Sequence, residues 1–393
     1  MKIAFITTMA TAPWGGSEAL WAATASQALD AGHQIFVSVY DWAELPAAVR
    51  DLQARGATIH RRKVSRRWRR SGILMRLFYP FRALHDFNPD VVLINQGSTY
   101  DISRGKEFTR LRNALIRDAR WPFVLLCHCE QDAPSRRRSR ERARVAFAAA
   151  RVLGMLSHNL RARSEQHLGI ALPHARYFQN PLNIRAPRFV PWPQTNELRF
   201  AFVGRLEYVK GLDLALEVLS SPAWRERAWS LDIYGDGDLR TTYQAQVASL
   251  GLTDRIRFAG FTCDIDSVWR DHHLLLLPSR AEGVPNSMLE AMLSGRPVIV
   301  SNVGGISEWV NDGKNAFLLP KPDAAALASA LERCWTERSS LEGMGRSAYE
   351  STLRLRDTNP ASTMLHWLEE VGAGQRKPRQ RPVLVASRTG TDS

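Results

Sequence analysis

The sequence contains few cysteines and no long apolar run. Its 393 residues include four cysteines, and Cys127, Cys129 and Cys263 lie within or beside apolar, strand-like segments. This pattern predicts reduced thiols and argues against a disulfide framework. No apolar stretch approaches the roughly 20 residues that span a bilayer, and the longest runs, such as Leu274–Leu277, are typical of buried strands. We therefore expect a soluble, cytoplasmic protein.

Acidic residues are scarce in the first half of the chain. Residues 1–190 hold 30 of the 53 Lys and Arg residues but only 14 of the 39 Asp and Glu residues. Such a positive field favours an anionic partner, which can be a membrane surface, a phosphorylated acceptor or a nucleic acid. The segment Arg61–Arg82 contains nine basic and no acidic residues, interleaved with aromatic and aliphatic ones. It is expected either to attach the protein peripherally to an anionic membrane or lipid-phosphate acceptor, or to form a solvated basic loop.

Apolar strands alternate with helical segments on both sides of a proline-rich stretch. The first unit comprises a strand at Lys2–Thr8, a helix at Glu18–Ala31 and a strand at Gln34–Tyr40. Prolines at positions 187, 191 and 193 interrupt the pattern, which restarts with a strand at Leu198–Val203. The sequence predicts an α/β protein with two Rossmann-like domains. The predicted boundaries are residues 1–188 and 189–355 for the domains, 356–372 for a C-terminal helix and 373–393 for a disordered tail.

Three loops follow predicted strands of the second domain. They lie at the edge where parallel sheets bind ligands. The first, Gly204–Gly211, contains two cations, and the second runs from Ser279 to Glu290. The third, Val303–Gly305, contains two glycines, which permit close backbone approach. Asn286 is the predicted N-cap of the helix that follows the second loop.

These loops resemble the donor site of the retaining glycosyltransferases of family four, which have the GT-B fold. The E-x7-E pattern of that family matches Glu282 and Glu290, and its G-R-x-x-x-x-K-G segment matches Gly204–Gly211. The resemblance implies two Rossmann-like domains that face each other across a cleft. It also implies a hexosyltransferase that moves a sugar, with retention, from a nucleotide-diphosphate sugar to a glycan, lipid-linked or small-molecule acceptor. No cofactor is expected beyond the donor substrate, and no metal.

The resemblance implies a role for each matching residue. Arg205 and Lys210 would neutralise the diphosphate leaving group, Glu282 would contact hydroxyls of the donor sugar, and Glu290 would bind the ribose. His128, at a strand end, is a further catalytic candidate, and a structural role for it stays open. The family usually has an aspartate after this histidine, whereas this chain has Cys129 and Glu130. Substrate contacts are further implied for small and polar loop residues: Gly15, Gly16, Gly204, Gly283, Val284, Asn286 and Ser287.

Two patterns are typical of metal sites, but we expect neither to bind a metal. Asp236-Gly237-Asp238 resembles the D-x-D motif of glycosyltransferases with the other main fold, but here it follows a strand at a turn. Cys127-His128-Cys129 has no second ligand pair elsewhere. Two other functions stay open: a nucleotide-sugar epimerase or phosphorylase of the same fold, and a basic nucleic-acid-binding protein. Because no nucleic-acid recognition module is recognisable, we expect no nucleic-acid partner.

Overall fold

The computed structural model describes residues 1–10, 13–63, 81–104, 108–129, 137–184, 186–262 and 264–374. These residues form two domains, each built on a parallel β-sheet with its own apolar core. The two predicted Rossmann-like domains are therefore confirmed. None of the helices in these ranges combines the length and the apolar character that crossing a membrane requires.

The N-terminal sheet has seven strands in the order β3-β2-β1-β4-β5-β6-β7. Its central strands are apolar on both faces because helices cover both sides of the sheet. The strands are β1 Lys2–Thr7, β2 Gln34–Tyr40, β3 Thr58–Arg62, β4 Val91–Ser98, β5 Phe123–Cys129, β6 Val152–Met155 and β7 Ala175–Tyr177. The helices are α1 Gly16–Asp30, α2 Ala47–Ala54, α3 Arg82–Phe87, α4 Asp101–Arg104, α5 Thr109–Arg112, α6 Arg137–Ala149 and α7 His158–Leu168.

The C-terminal sheet has six parallel strands in the order β10-β9-β8-β11-β12-β13. The strands are β8 Leu198–Val203, β9 Trp229–Tyr234, β10 Ile256–Gly260, β11 Leu274–Leu277, β12 Val298–Ser301 and β13 Ala316–Leu319. The helices are α8 Leu212–Leu219, α9 Pro222–Arg225, α10 Arg240–Ser249, α11 Ile265–Asp271, α12 Asn286–Leu293, α13 Ala324–Thr336 and α14 Leu341–Leu355. Because β8, β11 and β12 are adjacent, the loops that follow them are neighbours in space.

The last helix, α15 (Pro360–Ala373), returns to the N-terminal domain. Met364 and Leu368 are fully buried in the N-terminal core. On the same helix, Glu370 accepts two hydrogen bonds from Arg176, at 2.6 and 2.8 Å. The chain therefore crosses between the domains twice, once before β8 and once before α15.

The ends of the predicted basic segment Arg61–Arg82 include core residues. Arg62 is the last residue of β3 and is only 3% exposed. Its guanidinium donates to the carbonyl of Ser38 at 2.8 Å and lies 4.5 Å from the centre of the Tyr40 ring, and Phe81 is fully buried. The expectation that these two side chains face a membrane is wrong, because both pack inside the domain.

Several sequence predictions concern residues that the structure does not describe. Residues 64–80, the middle of the basic segment, lie outside the described residues. The same is true of Glu130, Cys263 and residues 375–393 of the predicted tail. The buried cysteines at positions 127 and 334 form no disulfide.

Candidate functional site

The loops after β8 and β11 meet through a buried ion pair. Lys210 Nζ lies 2.6 Å from Glu282 Oε1, and the two side chains are 18% and 8% exposed. The same carboxylate oxygen accepts a hydrogen bond from the Ser279 hydroxyl at 2.8 Å. The sequence predicted both charged residues for this site, and the structure brings them together. Their mutual contact fixes a cation and a carboxylate at the carboxyl edge of the sheet.

A second cation, which the sequence reasoning missed, fastens the same two loops. Arg280 donates to both carboxylate oxygens of Asp213, at 2.7 and 2.6 Å, and its guanidinium lies 3.8 Å from the centre of the Tyr208 ring. Its backbone N–H donates to the carbonyl of Val209 at 2.7 Å. Arg205, by contrast, is half exposed and lies 2.9 Å from Glu207. Arg280 is therefore a scaffold for the site, whereas the Arg205 side chain extends toward solvent.

A small cleft lies against these loops and reaches the N-terminal domain. Leu160 and Arg163 of α7 line it on one side, and Arg280, Glu282 and Gly304 line it on the other. A concave site between two domains, lined by groups of both charges, is suited to a polar ligand.

The helix α12 contributes a buried carboxylate. Glu290 is 2% exposed, and its Oε1 accepts the backbone N–H of Asn183 at 2.9 Å. Burial raises the pKa of Glu290 above its usual value. Asn183 belongs to the segment that connects the domains. Glu290, the carboxylate predicted to bind the ribose, therefore also anchors this connecting segment.

Asn286 does not cap α12. The helix begins at Asn286 itself, with Pro285 at the N-cap position, and the N-cap prediction is wrong. The side-chain amide of Asn286 instead donates to the carbonyl of Pro181 at 3.1 Å. A Cβ added at Gly16 would lie 3.6 Å from the Asn286 side chain, so the glycine loop before α1 faces this residue. Ser287 follows, half-buried in the first turn.

The second and third loops press against the N-terminal domain. A Cβ added at Gly283 would lie 2.1 Å from the carbonyl oxygen of His128, and Val284 packs against both apolar cores. Gly304 has a φ of +58°, and a Cβ there would lie 2.1 Å from the carbonyl oxygen of Glu282. The glycines in these loops are therefore required for close approach. The domains meet at the predicted site residues.

His128 lies at the end of β5 and is buried. Its Nε2 lies 2.7 Å from Asn95 Oδ1, and its ring makes an edge contact with Phe178 at a centroid distance of 5.0 Å. Burial lowers the pKa of His128 to about 3, so the imidazole is neutral. The sequence located this histidine but gave no sign of Asn95, which lies on the neighbouring strand.

A carboxylate of the C-terminal domain caps a helix of the N-terminal domain. Glu308 accepts the backbone N–H groups of His158 and Asn159, at 3.1 and 2.8 Å. These N–H groups begin α7, where the helix has unpaired donors and a partial positive charge. The sequence reasoning missed Glu308 because its partners are about 150 residues away.

The D-x-D pattern forms a turn after β9. Asp236 accepts the N–H of Gly237 at 2.8 Å and lies 3.9 Å from Arg240. Within the ranges that the structure describes, no three His, Cys, Asp or Glu side chains are grouped as metal ligands.

Sequence comparison finds matches for part of the C-terminal domain. Residues 197–337 match the family model for glycosyl transferases group 1. The 2-deoxystreptamine glucosyltransferase of Streptomyces kanamyceticus is 35% identical over 143 residues, which are 36% of this chain and 37% of that protein. The Vi polysaccharide biosynthesis protein VipC/TviE of Salmonella typhi is 32% identical over 149 residues, 36% of this chain and 25% of that protein. The matched region thus spans well under half of the length of these relatives.

Solved structures resemble the chain over nearly its whole length. Anabaena HepE in complex with UDP has a TM-score of 0.73 at 19% identity, covering 95% of this chain and 100% of that one. A structure of the same protein in complex with UDP-glucose has a TM-score of 0.71 at 20% identity, with the same coverage. At such identities the likeness shows the fold. The chain is therefore an α/β protein with the GT-B fold, whose residues 197–337 match the glycosyl transferases group 1 model.

Proposed function

We propose that this protein is a retaining glycosyltransferase that uses a nucleotide-diphosphate sugar as donor. The observation that carries the proposal is the Lys210–Glu282 pair, held at 2.6 Å between two loops at the sheet edge and opposite the N-terminal domain. It combines a fixed cation, which a diphosphate requires, with a fixed carboxylate, which can accept hydrogen bonds from sugar hydroxyls. The group 1 family match covers both loops.

The donor-site roles follow from the positions of the charges. Lys210 and the more exposed cation of Arg205 would neutralise charge that develops on the diphosphate. Glu290, buried in α12, would accept hydrogen bonds from the ribose. The N–H groups of the loop from Gly283 to Ser287 would meet donor oxygens at the N-terminus of α12.

In the proposed reaction, the bond between the anomeric carbon and the diphosphate oxygen breaks, and its electron pair stays on that oxygen. The acceptor oxygen forms a new bond to the same carbon on the same face, and its proton passes to the leaving phosphate. No protein nucleophile is required. Since fixed cations stabilise the leaving group, no divalent metal is required either.

The relatives indicate which substrates to test first. HepE was determined with UDP and with UDP-glucose, and one relative is named as a glucosyltransferase, so UDP-hexoses are the first donors to try. Another relative is named for polysaccharide biosynthesis. We therefore propose acceptors that present a sugar or related hydroxyl, whether glycan, lipid-linked or small-molecule.

The test is release of nucleoside diphosphate from UDP-, GDP- and ADP-sugars, with and without acceptor mixtures. Acceptor-dependent release, with the donor anomeric configuration kept in the product, supports the proposal. Release without acceptor, or an inverted product, contradicts it.

Lys210→Met should lower kcat about 100-fold or more, as expected for loss of an electrostatic contact to developing charge. The matched control is Lys321→Met. Lys321 forms an ion pair of the same 2.6 Å length, but its side chain is 72% exposed. The control should leave kcat unchanged. Equal kcat in the two variants would remove Lys210 from the mechanism.

A further inference from the structure

The outer face of α6 (Arg137–Ala149) carries positive charge that the proposed transfer reaction does not use. Five of the 13 residues of this helix are arginine, and Glu141 is its only acidic residue. Four of the arginines are exposed and one is half-buried: Arg137, Arg138, Arg140, Arg142 and Arg144. The opposite face, with Ala143, Ala146 and Phe147, packs into the core. No arginine of α6 is among the residues that line the cleft between the domains.

Neighbouring carboxylates do not neutralise this charge. Arg144 lies 3.5 Å from Glu141, and both of these side chains are exposed to solvent. The other four arginines of α6 form no ion pair with any residue that the structure describes. Arg176, by comparison, lies 2.6 Å from Glu370 on the same domain surface. The face of α6 therefore presents uncompensated guanidinium groups.

The arginines also lie where positive charge destabilises a helix. The first turn of α6 contains Arg137, Arg138 and Arg140 and no acidic residue. Because the N-terminal end of a helix carries a partial positive charge, cations at that end are unfavourable. Arg138 and Arg142 are four residues apart, a spacing at which like charges repel each other. The stability of the helix does not account for this charge, whereas a bound anion would offset the repulsion.

The basic face begins beside the candidate site. The helix α6 connects β5 to the adjacent parallel strand β6, so its first turn lies at the carboxyl edge of the N-terminal sheet. At the same edge, the carbonyl of His128 on β5 meets the loop that contains Gly283. The short helix α4, which ends in the exposed Arg104, packs against α6. The face thus leads from the domain contact over the surface of the N-terminal domain.

The chemistry of this face distinguishes between classes of anionic partner. In α6, all of whose residues the structure describes, Val145 is the only exposed large apolar residue, and Phe147 is fully buried. A helix that lies in a lipid surface buries a broad apolar face, and single-stranded nucleic acid stacks its bases on aromatic side chains. Guanidinium groups alone are suited to carboxylates, which they bind through two parallel hydrogen bonds.

We propose that the outer face of α6 is a docking surface for an acidic polysaccharide, whose carboxylates pair with the arginines while one of its sugars occupies the candidate site. The inference rests on the proposed glycosyl transfer for the partner being a glycan. The arginines extend over about 10 Å of the helix axis, so several carboxylates of one chain can bind at once. Linked contacts of this kind give a polymer a higher affinity than a single sugar has.

The first experiment measures binding without any nucleotide sugar. The probe is fluorescently labelled polygalacturonate, a chain in which every sugar carries a carboxylate, and uncharged dextran is its control. Fluorescence anisotropy with the full-length wild-type protein at low salt should detect binding of polygalacturonate and none of dextran. The affinity should fall as salt is added, because the contacts are exposed ion pairs.

Two double variants locate the surface. Arg138→Gln with Arg142→Gln should weaken the binding of polygalacturonate about tenfold, within the range expected for two exposed ion pairs. The matched control is Arg270→Gln with Arg354→Gln, which removes two exposed charges from the C-terminal domain and should leave the affinity unchanged. The melting temperature of the α6 variant should stay the same or rise, since repulsion within the helix is reduced.

Absence of polygalacturonate binding, or an equal loss of affinity in the two double variants, would overturn the docking surface. Duplex DNA and phosphatidylglycerol vesicles are tested at the same concentration of anionic groups. Tighter binding of either one than of polygalacturonate, lost in the same α6 variant, would overturn the choice of partner. If no nucleotide sugar reacts with the wild-type protein, the proposed function fails, while the binding measurements still decide the docking surface.

Discussion

Replacing Gly283 by alanine should separate the two domains. In the structure the Gly283 backbone lies against β5, and an added Cβ would be 2.1 Å from the His128 carbonyl oxygen and 2.7 Å from Leu156 Cδ1. Real Cβ atoms essentially never approach other atoms within 3.0 Å. The Leu156 side chain can rotate away, but the His128 carbonyl belongs to a central strand and cannot. The second loop must therefore withdraw from the N-terminal domain.

The size of the effect follows from this overlap. Relief of the clash with the carbonyl requires a shift of about 1 Å, and a misplacement of that size can cost about 100-fold in rate. This corresponds to roughly 2.7 kcal/mol of transition-state stabilisation. Apart from a rotation of Leu156, the cores of the two domains keep their packing, so the melting temperature should change little.

The assay compares kcat/KM and melting temperature for the wild type, Gly283→Ala and Gly343→Ala. Gly343 lies in α14 with open space around its Cβ position, and alanine there should stabilise the helix by about 0.5–1 kcal/mol. Gly283→Ala with wild-type kcat/KM would refute the argument that the domains must meet at this loop. A large loss of melting temperature would instead show that Gly283 supports the fold.

Three further predictions concern the contact between the domains, the pH dependence of stability and the requirement for a metal ion. Glu308→Gln removes the charge that caps α7 and should lower kcat/KM up to about fivefold, without loss of melting temperature; a wild-type kcat/KM would contradict the capping role. Burial lowers the pKa of His128 to about 3 and that of His273 to about 4. The unfolded chain therefore binds more protons between pH 4 and 6.5, so the unfolding free energy, measured by urea denaturation, should fall as the pH is lowered through that window. His128→Gln should reduce this dependence by about one proton, and an unchanged slope would contradict the burial argument. Chelator-treated enzyme should stay active, since fixed cations supply the positive charge; activity lost to EDTA and restored by Mn²⁺ would implicate Asp236 and Asp238.

The strands that sequence predicts well are those buried on both faces. Gln34–Tyr40, Leu198–Val203 and Leu274–Leu277 have the predicted bounds in the structure, because a continuous apolar run between polar breaks has few other solutions in an α/β protein. The loops that follow the C-terminal strands were identified for the same reason. Their chemistry depends on residue types at fixed spacing, as with Glu282 and Glu290.

The missed features depend on tertiary contacts. The strand β3 (Thr58–Arg62) was not predicted, because it ends in basic residues. Only the fold shows that Arg62 is enclosed by backbone carbonyls and aromatic rings. Asn286 is of a residue type that is common at N-caps, but its side chain donates a hydrogen bond to the segment that connects the domains. Glu308 pairs with a helix of the other domain, and no local pattern encodes such a partner.

The loops around Lys210 and Glu282 should bind a nucleotide sugar. The direct test is isothermal titration calorimetry of the wild-type protein with UDP-glucose and a panel of other UDP-, GDP- and ADP-sugars. We expect saturable binding of at least one of these donors, with one site per chain. Absence of binding for the whole panel, with a protein shown to be folded by circular dichroism, would contradict it.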